Sequence, residues 1–87
     1  MYRLIQLKVV NRPGVLHRIT QVVLKPHYNI DSLSLIATED PKVSIITIGV
    51  RMPADTAEEQ ARLLTLTLGK QVDVISALDM TSLETHF

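Results

Sequence analysis

The chain has 87 residues, no cysteine, and nine basic against nine acidic side chains, giving a formal net charge of zero. That length supports one small domain, and a hydrophobic share of 46% belongs to a folded chain rather than a disordered one. The missing cysteines exclude disulfides, thiolate catalysis and Cys-based metal sites, and the absence of a basic excess speaks against nucleic acid or anionic lipid as partners.

Residues Tyr2 to Val10 alternate, with Ile5, Leu7 and Val9 on one side and Gln6 and Lys8 on the other, as in a half-buried strand. This alternation follows Met1 directly, without the apolar core of a signal peptide, and no apolar run reaches membrane-spanning length. A cytoplasmic protein is the expectation. At Pro13-Gly14 the period changes. Val15, Leu16, Ile19, Val22 and Val23 fall on one helical stripe, with Arg18, Gln21 and Lys25 outside it. Pro26 stops this helix near Leu24, because the residue before proline avoids helical geometry.

Asn29 precedes a second strand, Ile30 to Thr38, in which Leu33, Leu35 and Ala37 alternate with Ser32 and Ser34. Glu39-Asp40-Pro41-Lys42 is a turn by composition. Val43 to Arg51 is a third strand, apolar on both faces around Ile45, Ile46 and Ile48, which suits a central place in a sheet. Pro53 ends it. Asp55, with Glu58 three residues on, predicts a capping box for a second helix with an inner stripe of Ala57, Ala61, Leu64 and Leu68. Gly69 stands where a C-terminal cap is expected. Val72, Val74, Ser76 and Leu78 alternate in a last strand. One domain over residues 1–79 is expected, followed by a loosely held tail over 80–87.

The order β-α-β-β-α-β, with right-handed crossovers, gives an α+β, ferredoxin-like sandwich: a four-stranded antiparallel sheet with two helices on one face. Strand order 4-1-3-2 places the third strand inside and the second at an edge. Pairing of that edge with a second copy would protect it. The opposite sheet face is expected to carry Leu4, Ile36 and Ile46, less polar than a fully wet surface.

Asn11-Arg12-Pro13-Gly14 reads most simply as a turn with a helix cap. It also suits a ligand loop. Gly14 lets another atom approach the backbone, and the N–H groups of Gly14, Val15 and Leu16 are helix-start donors carrying the positive end of the helix dipole. An α-carboxylate fits there, with the Asn11 amide oxygen accepting from an α-ammonium. Asn29 alone is a turn residue, yet in a dimer joined by strand-two edges it would face Asn11 and Gly14 of the other chain. His17, His27 and His86 lack metal-ligand spacing. Nothing places a nucleophile beside a base, and Asp31, Asp73 and Asp79 make no recognisable carboxylate pair. With two tyrosines and one phenylalanine, base stacking has no platform.

Three runs carry a family likeness: Asn11-Arg-Pro-Gly-Val-Leu-His-Arg-Ile, Tyr28-Asn-Ile-Asp-Ser-Leu-Ser-Leu, and Thr38-Glu-Asp-Pro-Lys-Val-Ser. Together with Gly69-Lys-Gln-Val-Asp-Val-Ile they resemble the ACT domain of acetolactate synthase (acetohydroxyacid synthase) small subunits, from Leu4 to about Asp79. The Asn-x-Pro-Gly-Val-Leu element is generic to ACT domains, and the other two runs are more specific. Two positions depart from the family pattern. His27 stands where a glycine is usual, and Ser44-Ile45-Ile46-Thr47 replaces Ser-Arg-Met-Thr.

The resemblance implies a non-catalytic regulatory subunit. It would activate a separate catalytic subunit, the first committed enzyme of branched-chain amino acid biosynthesis, and mediate feedback by valine. No cofactor belongs to this chain; thiamine diphosphate and magnesium belong to the catalytic partner. The small subunit is expected to be a homodimer through strand two, with further assembly left open. The implied valine site lies between chains, with Asn11, Gly14, Val15 and Leu16 from one and Asn29 and Ile30 from its neighbour. The alternative is a free-standing ACT-type sensor acting on another enzyme or regulator. A small enzyme on this scaffold, such as an acylphosphatase, ranks last because no phosphate-cradling loop with a paired arginine is present.

Overall fold

The structure, a computed structural model, describes residues 1–26 and 28–80. The alternating and 3.6-period stretches become β1 (Tyr2–Val10), α1 (Val15–Leu24), β2 (Asn29–Ala37), β3 (Val43–Arg51), α2 (Ala57–Gly69) and β4 (Val74–Asp79). All neighbouring strands pair antiparallel in the order β2-β3-β1-β4, the expected topology. His27 and residues 81–87, which hold most of the expected tail, lie outside the described residues.

The core forms where two periods meet. Ile5 pairs with Ile48 and Leu7 with Ile46 across β1 and β3, so one face of both central strands is aliphatic. Against it α1 sets Val15, Ile19 and Val23, and α2 sets Ala57, Ala61, Leu64 and Leu68, all buried. Each large aliphatic so removed from water contributes about 1.5–3 kcal/mol. The two alanines present only a methyl group each, which lets α2 lie close to the sheet.

Four expectations change. Ile46 belongs to the helix-covered face, where it is fully buried, because its register with Leu7 fixes its side. The open face instead carries Leu4, Gln6 and Lys8 of β1 with Ile45, Thr47 and Gly49 of β3. The N-cap of α2 is Thr56, not Asp55, and makes no side-chain cap bond. A turn from the Pro53 carbonyl to the Thr56 N–H (3.3 Å) shifts the helix start by one residue, and the Gln60 amide donates to Thr56 Oγ1 at 3.0 Å. Gly69 is the last helical residue rather than the cap. Lys70 follows in right-handed geometry, and the left-handed residue of this connection is Asp73, at φ 73°. Val72 lies outside β4, in the turn that Asp73 closes.

Apart from Ile30, the helices leave β2 bare. Leu33 and Leu35 oppose the buried Ile48 and Ile46, yet they are 43% and 49% exposed, and Ile36 on the other face is 57% exposed. Within β2 the one charged residue is Asp31, and the strand carries no proline. Its charge and its register shift both fall at Asp31, near its start, so the stretch 32–37 lacks the devices that usually blunt an edge.

Candidate functional site

The loop after β1 is held from three directions. The Asn11 N–H donates to the Lys42 carbonyl (2.7 Å), the Arg12 N–H to Val10 (2.9 Å), and the Val15 N–H to Arg12 (3.3 Å). Gly14 closes the turn in the left-handed region, φ 85° and ψ −7°, a conformation that explains the glycine. Its carbonyl then accepts the first helical bond, from the Arg18 N–H at 3.0 Å. Of the three helix-start donors expected to be free, Val15 is thus engaged within the loop. The N–H groups of Gly14 and Leu16 have no backbone partner among the described residues. Val15 itself is buried, Leu16 is half-buried, and Asn11 is exposed with its amide 3.5 Å from the Pro41 carbonyl.

An acidic residue that sequence reasoning passed over stands behind this loop. The Asp73 carboxylate lies 2.7 Å from Arg18 Nη2 and 3.5 Å from Arg12 Nε, and its backbone carbonyl accepts the Val10 N–H at 2.7 Å. Arg18 in turn reaches over Gly14; a Cβ on Gly14 would sit 3.4 Å from Arg18 Nη1. The only sequence signal for Asp73 was its place in the run leading to the last strand.

Asn29 and Ile30 open β2. The Asn29 amide donates to Asp31 Oδ1, and Asp31 Oδ2 pairs with Arg51 Nη2 at 2.7 Å. Asp31 is the extra residue where the β2–β3 register shifts, which frees its carboxylate to serve both neighbours. Ile30 is half-buried against the core, as is Tyr28, whose hydroxyl donates to Gln60 Oε1 at 2.7 Å.

Within one chain the two groups of residues stay apart. Asn29 pairs with Arg51, which pairs with Tyr2, so it lies at the sheet end where β1 begins. Asn11 follows the other end of β1 and is bonded to Lys42. Over the nine residues of β2 at about 3.3 Å per step, the separation is roughly 26 Å.

Another concavity, of about 830 Å³, opens at the end of the sheet away from Gly14, lined by Arg3, Thr56, Glu59, Arg62, Thr65 and Asp79. Its floor is the Arg3–Asp79 ion pair at 2.6 Å. Among the described residues no group of His, Cys, Asp and Glu is arranged to hold a metal ion, and no helix is long and apolar enough to cross a membrane.

A βαββαβ sandwich with a left-handed glycine opening its first helix is the architecture of an ACT domain. The ACT domain from GTP pyrophosphokinase of Chlorobium tepidum has the same fold, with a TM-score of 0.74 at 18% identity over 91% of this chain and 96% of that one. Residues 5–76 match the AHAS small subunit-like ACT domain, and the chain belongs to that family. It is 46% identical over 82 residues to the acetolactate synthase small subunit of Bacillus subtilis (strain 168), covering 94% of this chain and 46% of that protein. The crystal structure of the acetolactate synthase small subunit from Thermotoga maritima superposes with a TM-score of 0.70 at 25% identity, over 91% of this chain and 47% of that one. The chain therefore spans about half the length of the small subunits it matches.

Proposed function

We propose that this chain is a non-catalytic, amino-acid-responsive regulatory subunit of acetolactate synthase. It activates the catalytic subunit in the cytoplasm and mediates feedback by valine. Thiamine diphosphate and magnesium stay with the catalytic partner; neither nucleic acid nor membrane takes part. The observation that carries the reading is the placement of the two residue groups at opposite ends of an uncovered edge strand. Two copies joined antiparallel along β2 exchange ends. With Leu33 opposite its own copy, Asn29 meets Ala37 of the partner subunit, beside that chain's loop. Each dimer then holds two equivalent sites, each made from both chains.

The chemistry of such a site follows from its parts. The effector's carboxylate takes the Gly14 and Leu16 N–H groups at the positive end of α1. The amide oxygens of Asn11 and Asn29 accept from its ammonium. Leu16 and Ile30 flank a branched apolar side chain, and Val15 anchors the loop from the core. An effector bound between chains changes the synthase only through different affinities for two arrangements of the complex, a coupling of about 1–3 kcal/mol.

The test is co-purification with an acetolactate synthase catalytic subunit, with turnover measured with and without valine. Gly14→Asp sets a carboxylate where the ligand's own would lie, so the valine response should vanish while the dimer persists. Failure to associate with the synthase or to change its rate removes the proposal. Amino-acid binding without that association would instead identify a free-standing sensor.

A further inference from the structure

We propose that Asp73 is a positioning residue for the effector's carboxylate and acts through Arg18. This inference rests on the effector reading above and adds two residues to it. The Asp73 side chain is only 7% exposed, whereas the side chains of Arg12 and Arg18 are 66% and 46% exposed. A carboxylate so enclosed needs cationic partners, and its two oxygens divide between them: Oδ2 to Arg18 and Oδ1 to Arg12.

Its backbone points the same way. Asp73 is the one non-glycine residue with positive φ among the described residues. Aspartate is one of the few L-residues that adopt this conformation at little cost, which suits it to the position. Here the Asp73 carbonyl is fixed to the Val10 N–H, one residue before Asn11. Backbone and side chain of a single residue thus bracket the loop from its start to the first turn of α1.

Arg18 links the two sites of action. A guanidinium is a planar fork whose nitrogens cannot move independently. With Nη2 held at 2.7 Å by Asp73, Nη1 is set beside Gly14, where a Cβ would be only 3.4 Å away. A carboxylate accepting from the Gly14 and Leu16 N–H groups meets that nitrogen as a third donor. Asp73 does not touch the ligand; it fixes the donor that does.

A pure charge effect predicts the opposite sign. Removing an anion from behind an anion site should tighten carboxylate binding, whereas removing a positioning group should weaken it. Calorimetry of the full chain with valine, leucine and isoleucine, at low and physiological salt, separates the two. Asp73→Asn keeps the shape and tolerates the left-handed backbone. It should raise Kd about tenfold, the scale of one charged hydrogen bond, with the sedimentation coefficient unchanged. Arg18→Gln should weaken binding at least as much, and Asp73→Asn with Arg18→Gln no further than Arg18→Gln alone. Arg18→Lys, which leaves the left-handed residue untouched and keeps the charge, should lose most of the affinity because it lacks the fork. Unchanged or tighter binding by Asp73→Asn, additive losses in the double variant, or full affinity in Arg18→Lys would each overturn the inference. A wild-type chain that binds none of the three amino acids overturns the effector reading and this with it. Wild-type binding with an unaffected Asp73→Asn overturns this inference alone.

Discussion

Gly49 offers a sharp test of how the open face of the sheet is packed. The glycine sits mid-sheet with ordinary negative-φ backbone, so alanine meets no backbone strain there. Its space is taken by a neighbour. A Cβ would fall 2.2 Å from the Tyr2 hydroxyl, 2.6 Å from Tyr2 Cε2 and 2.4 Å from Ser32 Oγ. Tyr2 lies across the glycine and shares a 2.9 Å hydrogen bond with Ser32, tying β1 over β3 to β2. Gly49→Ala must expel the ring. Tyr2 is 41% exposed. Its buried remainder of roughly 120 Å² at about 25 cal/mol per Å² is about 3 kcal/mol as an upper bound. The exposed hydroxyl pair adds about 0.5 kcal/mol, and the stiffer alanine backbone returns about 0.5–1. The net loss expected is at most about 2.5–3 kcal/mol, or a fall in Tm of up to roughly 10–24 °C for a domain of this size. Thermal and urea unfolding at one fixed protein concentration measures it, since association shifts apparent stability. Tyr2→Ala is the control, and the double variant should lose little more than Tyr2→Ala alone, because the ring has gone and Ser32 Oγ, released from its bond to Tyr2, can turn away from the new Cβ. A Gly49→Ala protein within about 0.5 kcal/mol of wild type, or additive losses in the double variant, would refute this packing account.

Three further outcomes are expected. Ile46→Ala, at a fully buried position, should lower stability by about 2–5 kcal/mol in urea unfolding, where an exposed Ile46 would lose almost nothing. Leu35→Asp should give monomers by sedimentation while the far-ultraviolet dichroism stays near wild type, since Leu35 is half in solvent, and the melting temperature should lose its dependence on protein concentration; a persistent dimer would move the interface off β2. Asp55→Ala should change stability by less than about 0.5 kcal/mol, because α2 begins after Thr56 and Asp55 does not cap it, whereas a true N-cap would lose about 1.

The elements legible in the sequence were those set by period. The alternation of Ile5, Leu7 and Val9 and the stripe of Ala57, Ala61, Leu64 and Leu68 each follow from which face is buried, and the order of elements then leaves few topologies. The side of Ile46 was not legible, since β3 is apolar on both faces and only its register with β1 decides. Helix ends failed for a related reason. Asp55 and Gly69 satisfy composition rules, but a proline turn and the geometry of the connection to β4 set the actual boundaries. At the candidate site, Gly14 was legible because a left-handed turn leaves a compositional mark. Asp73 left none: it stands 59 positions after Gly14, and folding alone brings it to Arg18.

The sheet order also decides where cargo can be attached. The Met80 N–H donates to the Leu4 carbonyl at 2.8 Å, so the described backbone leaves alongside β1, on the flank opposite β2. Two strands, β1 and β3, stand between that exit and the bare edge. A fluorophore placed on β4, at the exposed Ile75, sits on the far flank, and self-association can be followed with the label clear of the seam.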